Sequence, residues 1–149
     1  YKYNFLELRI LFTLASIEGL LRNCQLSNEI ILFTFNFLDN SKYAKYYEKL
    51  LIVKSYSIIS YNFHRIDNHS LALSYSEKGI SFCIDHSIMT YLPLLLSRKG
   101  IAMYYLKIPE FDKYFKQSIA LLRIQNKDAL AGSYETILKK YLSDENQNS

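Results

Sequence analysis

Three histidines, His64, His69 and His86, and two cysteines, Cys24 and Cys83, have the widest chemical range in this 149-residue chain. Imidazoles ligate metals and move protons, and thiolates attack electrophiles or bind soft metals, but each task needs partners at a fixed spacing. His64 and His69 are five residues apart, which on one helix points the rings to different faces. Neither cysteine stands in a C-x-x-C or Cys/His ligand pattern, and both lie in apolar stretches, so they read as reduced core thiols. No G-x-S-x-G, H-E-x-x-H or phosphate-cradling glycine loop occurs. Asp39, Asp67, Glu110 and Asp112 fall at helix ends, where carboxylates complement the N-terminal dipole, and no pair of them calls for acid–base work. These residues support neither an enzyme, nor a metal centre, nor a bound cofactor.

The elements that must position any site read as helices. Phe5, Leu8, Phe12 and Ala15, with Leu6, Ile10, Leu14, Ile17 and Leu21, repeat at helical spacing and predict a first helix over about 3–22, apolar around most of its girth. Ser27 is an N-cap for a second, ended by "DNS"; its β-branched and aromatic content also permits a strand. A long third helix spans Ser41 to Arg65, with Ser55–Ser57 as the place for a bend. Asn68 or Ser70 caps a fourth over Leu71–Ile84. Pro93 and Pro109 fit first helical turns and so start a fifth helix near Thr90 and a sixth running to Ile124. Asp128 caps a seventh that ends near Leu142, leaving 143–149 as a frayed polar tail.

Four glycines and two prolines leave few positions for the left-handed turns of sheet hairpins, and half of the residues are hydrophobic, so an all-α domain with its own core is expected. A net charge of +4, with Lys and Arg spread along the chain, is a poor nucleic-acid signal. Glu7, Arg9 and Glu18 interrupt the most apolar segment, so no membrane span is expected and the reading is of a soluble, cytoplasmic protein. The sequence opens at "YKYNFLELRI" with neither Met nor a signal pattern, and an upstream region is expected.

Short turns between helices make antiparallel hairpins, and an internal repeat supports this. Setting "SLALSYSEKGISFC" beside "EFDKYFKQSIALL" pairs Tyr75 with Tyr114, Gly79 with Ser118, Ile80 with Ile119 and Phe82 with Leu121 at an offset of 39 residues. The expected architecture is a short right-handed tetratricopeptide-like α-solenoid, a single domain over 1–142, in which each hairpin needs a neighbour to bury its apolar face.

"YNFLELRILFTLASIEG", a long helix ending in "IISYNFHRID", then "ALSYSEKGISFC" and the pair "RKGIAMYYL" and "YFKQSIALL" together resemble the C-terminal regulatory domain of the Rgg/GadR/MutR transcriptional regulators of Gram-positive bacteria. The resemblance covers nearly the whole chain. It implies a homodimer that senses a short linear peptide pheromone, with DNA bound only through an N-terminal helix-turn-helix domain that this chain lacks. The main rival is a helical-repeat scaffold for a protein partner.

In such a stack the first helix of each pair lines the concave face. If Gly100 marks the close-packed side, the groove residues of its helix are Ser97, Ile101, Tyr104 and Tyr105, with Arg98 at an edge; those of the third helix include Ser57, Tyr61, Asn62 and Arg65. The amide of Asn62 would pair with a peptide N–H and C=O, Arg65 would hold a carboxylate bidentately, and the tyrosines would offer ring faces to apolar side chains. The first helix, or Ile137, Leu138 and Tyr141 of the last, would supply the dimer surface.

Overall fold

The structure, a computed structural model, describes residues 3–38 and 45–149. The expected stop at "DNS" and start at Ser41 lie outside the described residues. Within them the chain forms seven α-helices and no strand: α1 Phe5–Leu20, α2 Cys24–Leu38, α3 Tyr46–Arg65, α4 His69–Asp85, α5 Leu92–Tyr105, α6 Phe111–Ile124 and α7 Asp128–Asn148.

Local chemistry accounts for the helix starts. Asn4 Oδ1 accepts from Glu7 N at 3.0 Å while Asn4 N donates to Glu7 Oε2 at 2.8 Å, a reciprocal capping box that opens α1. Asn68 Oδ1 accepts from Leu71 N and opens α4. Pro93 sits in the first turn of α5, where its missing N–H has no intrahelical partner. Four expectations shift. Asp128, expected as a cap, is the first residue of α7, with Lys127 at the cap position. Ser27 lies inside α2 and is fully buried, its hydroxyl donating to the Ala15 carbonyl at 2.6 Å instead of capping. Pro109 precedes α6, whose cap position is Glu110 in the left-handed region. The polar 143–148 segment continues α7 as helix. The third helix runs unbroken from Tyr46 through Ser55–Ser57.

Helix ends repeat one device. Arg22, Asp67, Ser87, Lys107 and Asn126 have φ between 54° and 67°, each just past the end of α1, α3, α4, α5 and α6. At each, the next residue's N–H returns to a carbonyl five residues earlier, as from Ile88 to Cys83 at 2.8 Å and from Ile108 to Met103 at 2.9 Å. This is the closure usually made with glycine. None of the glycines has positive φ, so the scarcity of glycine did not remove left-handed turns; other residues fill them.

Consecutive helices pack as antiparallel hairpins, and α3 also packs on both α1 and α5, while the even helices touch chiefly their chain neighbours. The odd helices α1, α3 and α5 therefore follow one another as a layer, as in stacked helix pairs. Small residues sit where helices cross. A Cβ on Gly79 would come within 2.8 Å of Tyr56 Cβ and 2.7 Å of Leu95 Cδ2, and one on Gly100 within 2.9 Å of the Phe115 ring. Ser118, equivalent to Gly79 in the repeat, donates its hydroxyl to the Pro93 carbonyl at 2.6 Å. Two apolar cores result. One joins Phe12, Ile31, Phe35, Val53, Ile59 and Leu95. The other joins Ile101, Phe115, Leu122, Ala131 and Leu138. The α5 helix contributes to both. Among the described residues no helix is long and apolar enough to cross a membrane.

Candidate functional site

The nine residues expected to line a groove divide by burial. Ser57, Asn62, Ser97 and Ile101 are buried. Asn62 Nδ2 donates to Ser27 Oγ at 2.9 Å and to Asn28 Oδ1 at 3.0 Å, so its donors are spent on tying α3 to α2. Gly19 of α1 presses on the same amide, since a Cβ there would lie 3.3 Å from Asn62 Oδ1. The helix pitch turns this position inward between α1 and α2, which makes Asn62 a structural clamp and not a peptide contact. Ser97 hydroxyl donates to the Leu94 carbonyl, and Ile101 belongs to the second core. Neither faces a groove.

The other five converge on the odd-helix layer. Tyr61, 39% exposed, has Arg98 over its ring at 4.1 Å and Arg65 at 5.5 Å. Arg65 also donates through Nη1 to the Gly19 carbonyl at 2.6 Å, complementing the C-terminal end of α1. Tyr105, 47% exposed, stacks on His69 at 4.5 Å with 11° between planes and lies 5.1 Å from His64. Tyr104 stacks on Tyr141 of α7 at 3.8 Å and donates its hydroxyl to Asp144 Oδ2 at 3.4 Å. Leu138 and Tyr141, offered for a dimer surface, are buried within the chain.

His64 and His69, set aside because five residues separate them, meet with Nδ1 atoms 3.3 Å apart. They do not share a helix. His64 is in the last turn of α3 and His69 opens α4, and the turn through left-handed Asp67 folds one ring back on the other. A short polar "IDN" between two helical patterns was the available signal. Burial chiefly, then the charges of His69 and Arg98, lower the pKa of His64, against a small opposing pull from Asp67. Among the described residues, no group of three His, Cys, Asp or Glu side chains gathers as a metal site.

Arg98 is the other unusual group. Its side chain is only partly exposed, its Nε is enclosed without a hydrogen-bond partner, and burial works against its charge. No carboxylate among the described residues pairs with it, and the neighbours that favour its charge are the phenols of Tyr134 and Tyr61. An open cleft of about 820 Å³ adjoins this cluster through Tyr104 and Tyr105 and is also lined by Lys107, Ile108 and Glu145. Chemically the face offers ring surfaces for apolar groups and fixed cations for an anion. The cysteines are free and buried, and burial raises the Cys83 thiol to about 11, which leaves it inert.

No family model, curated protein or solved structure matches this chain.

Proposed function

We propose that this chain is the peptide-sensing regulatory and dimerisation domain of a Gram-positive transcriptional regulator of the Rgg/GadR/MutR kind, with a short linear peptide lying along α3, α5 and α7. The observation that carries the reading is the meeting of exposed rings, Tyr61 and Tyr105, with a cation, Arg98, that no carboxylate among the described residues neutralises. An extended peptide would lay apolar side chains on those rings and direct its negative group to the guanidinium. Because α5 belongs to both cores, a peptide that prefers one arrangement of α5 shifts their relative packing by its difference in affinity.

Dimerisation falls to α1. Leu6, Ile10, Leu14, Ile17 and Leu21 leave an apolar stripe along its outer side, with Leu6, Ile10 and Leu21 each at least 60% exposed. DNA contact belongs to the helix-turn-helix that the reading expects elsewhere in the protein.

The test is fluorescence polarisation with short hydrophobic peptides, including those encoded beside the gene. Submicromolar, saturable binding that scrambling abolishes and Tyr105→Ala weakens about tenfold is expected. Absence of binding by folded protein would reject the reading. A second reading, a scaffold for a helical partner, is favoured by the almost wholly apolar groove between α4 and α6, lined by Ile80, Ile84, Met89 and Leu121. Peptide affinity that depends on Met89 and Ile84, and not on Tyr105, would choose it.

A further inference from the structure

We propose that Arg98, with the His64–His69 pair beside it, is a seat for one carboxylate, and that a proton enters the imidazole pair together with that carboxylate. Taking the carboxylate from a peptide rests on the reading above; the seat itself does not.

The argument begins with Arg98. A guanidinium whose Cζ lies over the Tyr61 ring at 4.1 Å spends none of its N–H groups on that contact and can still offer them to a planar, two-oxygen acceptor. An arginine so enclosed normally has such an acceptor, and here none is found among the described residues. The groups nearest the guanidinium and the imidazoles are basic or neutral: from α3 Tyr61, His64 and Arg65, from α4 His69, from α5 Tyr105, and from α7 Tyr134. The acidic groups stand at its margins: Asp67 lies 3.8 Å from His69 Nε2 with its side chain 94% exposed, and Asp144 and Glu145 of α7 lie beyond Tyr104 in the adjoining cleft.

The imidazoles explain the proton. With Nδ1 atoms 3.3 Å apart, one ring can donate to the other only while the acceptor nitrogen is bare. Burial chiefly, and then the like charges that a second proton would put in contact beside Arg98, make His64 resist protonation. An anion placed against Arg98 cancels that repulsion, so the second proton becomes affordable and binding strengthens as pH falls. A cation would be repelled by the same groups, and a metal would find two imidazoles and no third ligand among the described residues.

The imidazole Cε1–H resonances of the intact chain should be followed by NMR during an acetate titration. Acetate is expected to raise the titration midpoint of His64, and its affinity to rise as pH falls, by up to about tenfold per pH unit between the acetate-bound midpoint and the lower midpoint of the free protein, as one linked proton requires. Arg98→Gln should abolish the shift, and Arg98→Lys, which keeps the charge, should weaken it. Unmoved imidazoles would overturn the seat. Three mixtures of hydrophobic hexapeptides then separate the sources: free acids, amides, and amides carrying one Glu. Preference for the free acids assigns the seat to a C-terminus, and preference for the Glu amides to an acidic side chain. Equal binding of all three overturns the seat and leaves the peptide reading standing. An acetate response with no peptide binding does the reverse.

Discussion

Asn62 is buried where three helices meet, and its amide answers two neighbours at once. Asn62→Ala would leave Ser27 and Asn28 short of a donor in a dry place, and a loss of about 1 to 3 kcal/mol is expected by urea denaturation. Peptide affinity of the remaining folded fraction should not change, whereas Tyr105→Ala should lower affinity and leave stability nearly intact. His64 gives the matching prediction for pH. Its folded pKa is depressed, so the unfolded chain binds the proton more readily. Stability is therefore full above the unfolded value of about 6.5 and falls as pH drops below it, and His64→Gln should flatten that part of the profile. Residue types foretold some of this. That Tyr61, Arg65, Arg98 and Tyr105 would stand near one another was legible, because helical periodicity puts them on neighbouring faces of α3 and α5. Asn62 was not, because an amide serves solvent, ligand or core equally well and only its rotation about the helix axis decides. The histidine pair escaped because spacing along one helix says nothing about residues on either side of a turn.

At the scale of elements, the turns are where composition misled. Few glycines implied few left-handed residues, yet five helices close through one at a non-glycine side chain. Each such residue works against the contact of its Cβ with the following carbonyl, about 1 to 2 kcal/mol, less for Asn and Asp. Ser87→Gly and Lys107→Gly should therefore raise stability by up to about 1 kcal/mol each, read as a higher Tm, while Asn126→Gly should gain less. Helix identity, by contrast, was plain from periodicity in every segment the structure describes, including α2, whose aromatic content also permits a strand. Gly100 was singled out correctly as a close-packing position. Gly100→Ala would drive its Cβ into the Phe115 ring and toward the Phe111 carbonyl, and a loss of about 1 to 3 kcal/mol is expected by thermal unfolding.

For the whole molecule, the stack of hairpins followed from the repeat, and the pairing of Gly79 with Ser118 holds in space, since both stand where an even helix crosses α5. The proposed dimerisation through the stripe on α1 predicts a dimer in sedimentation that Ile10→Lys with Leu14→Lys shifts to monomer, with the fold intact by circular dichroism. One feature reaches further. Stacked repeats ordinarily come apart piece by piece, because each touches only its neighbours. Here α5 gives Leu92, Leu95 and Leu96 to one core and Ile101 and Met103 to the other. Neither core can open without disturbing that helix, so amide exchange with solvent should be slowest in the middle of α5 and should report one opening event for both halves.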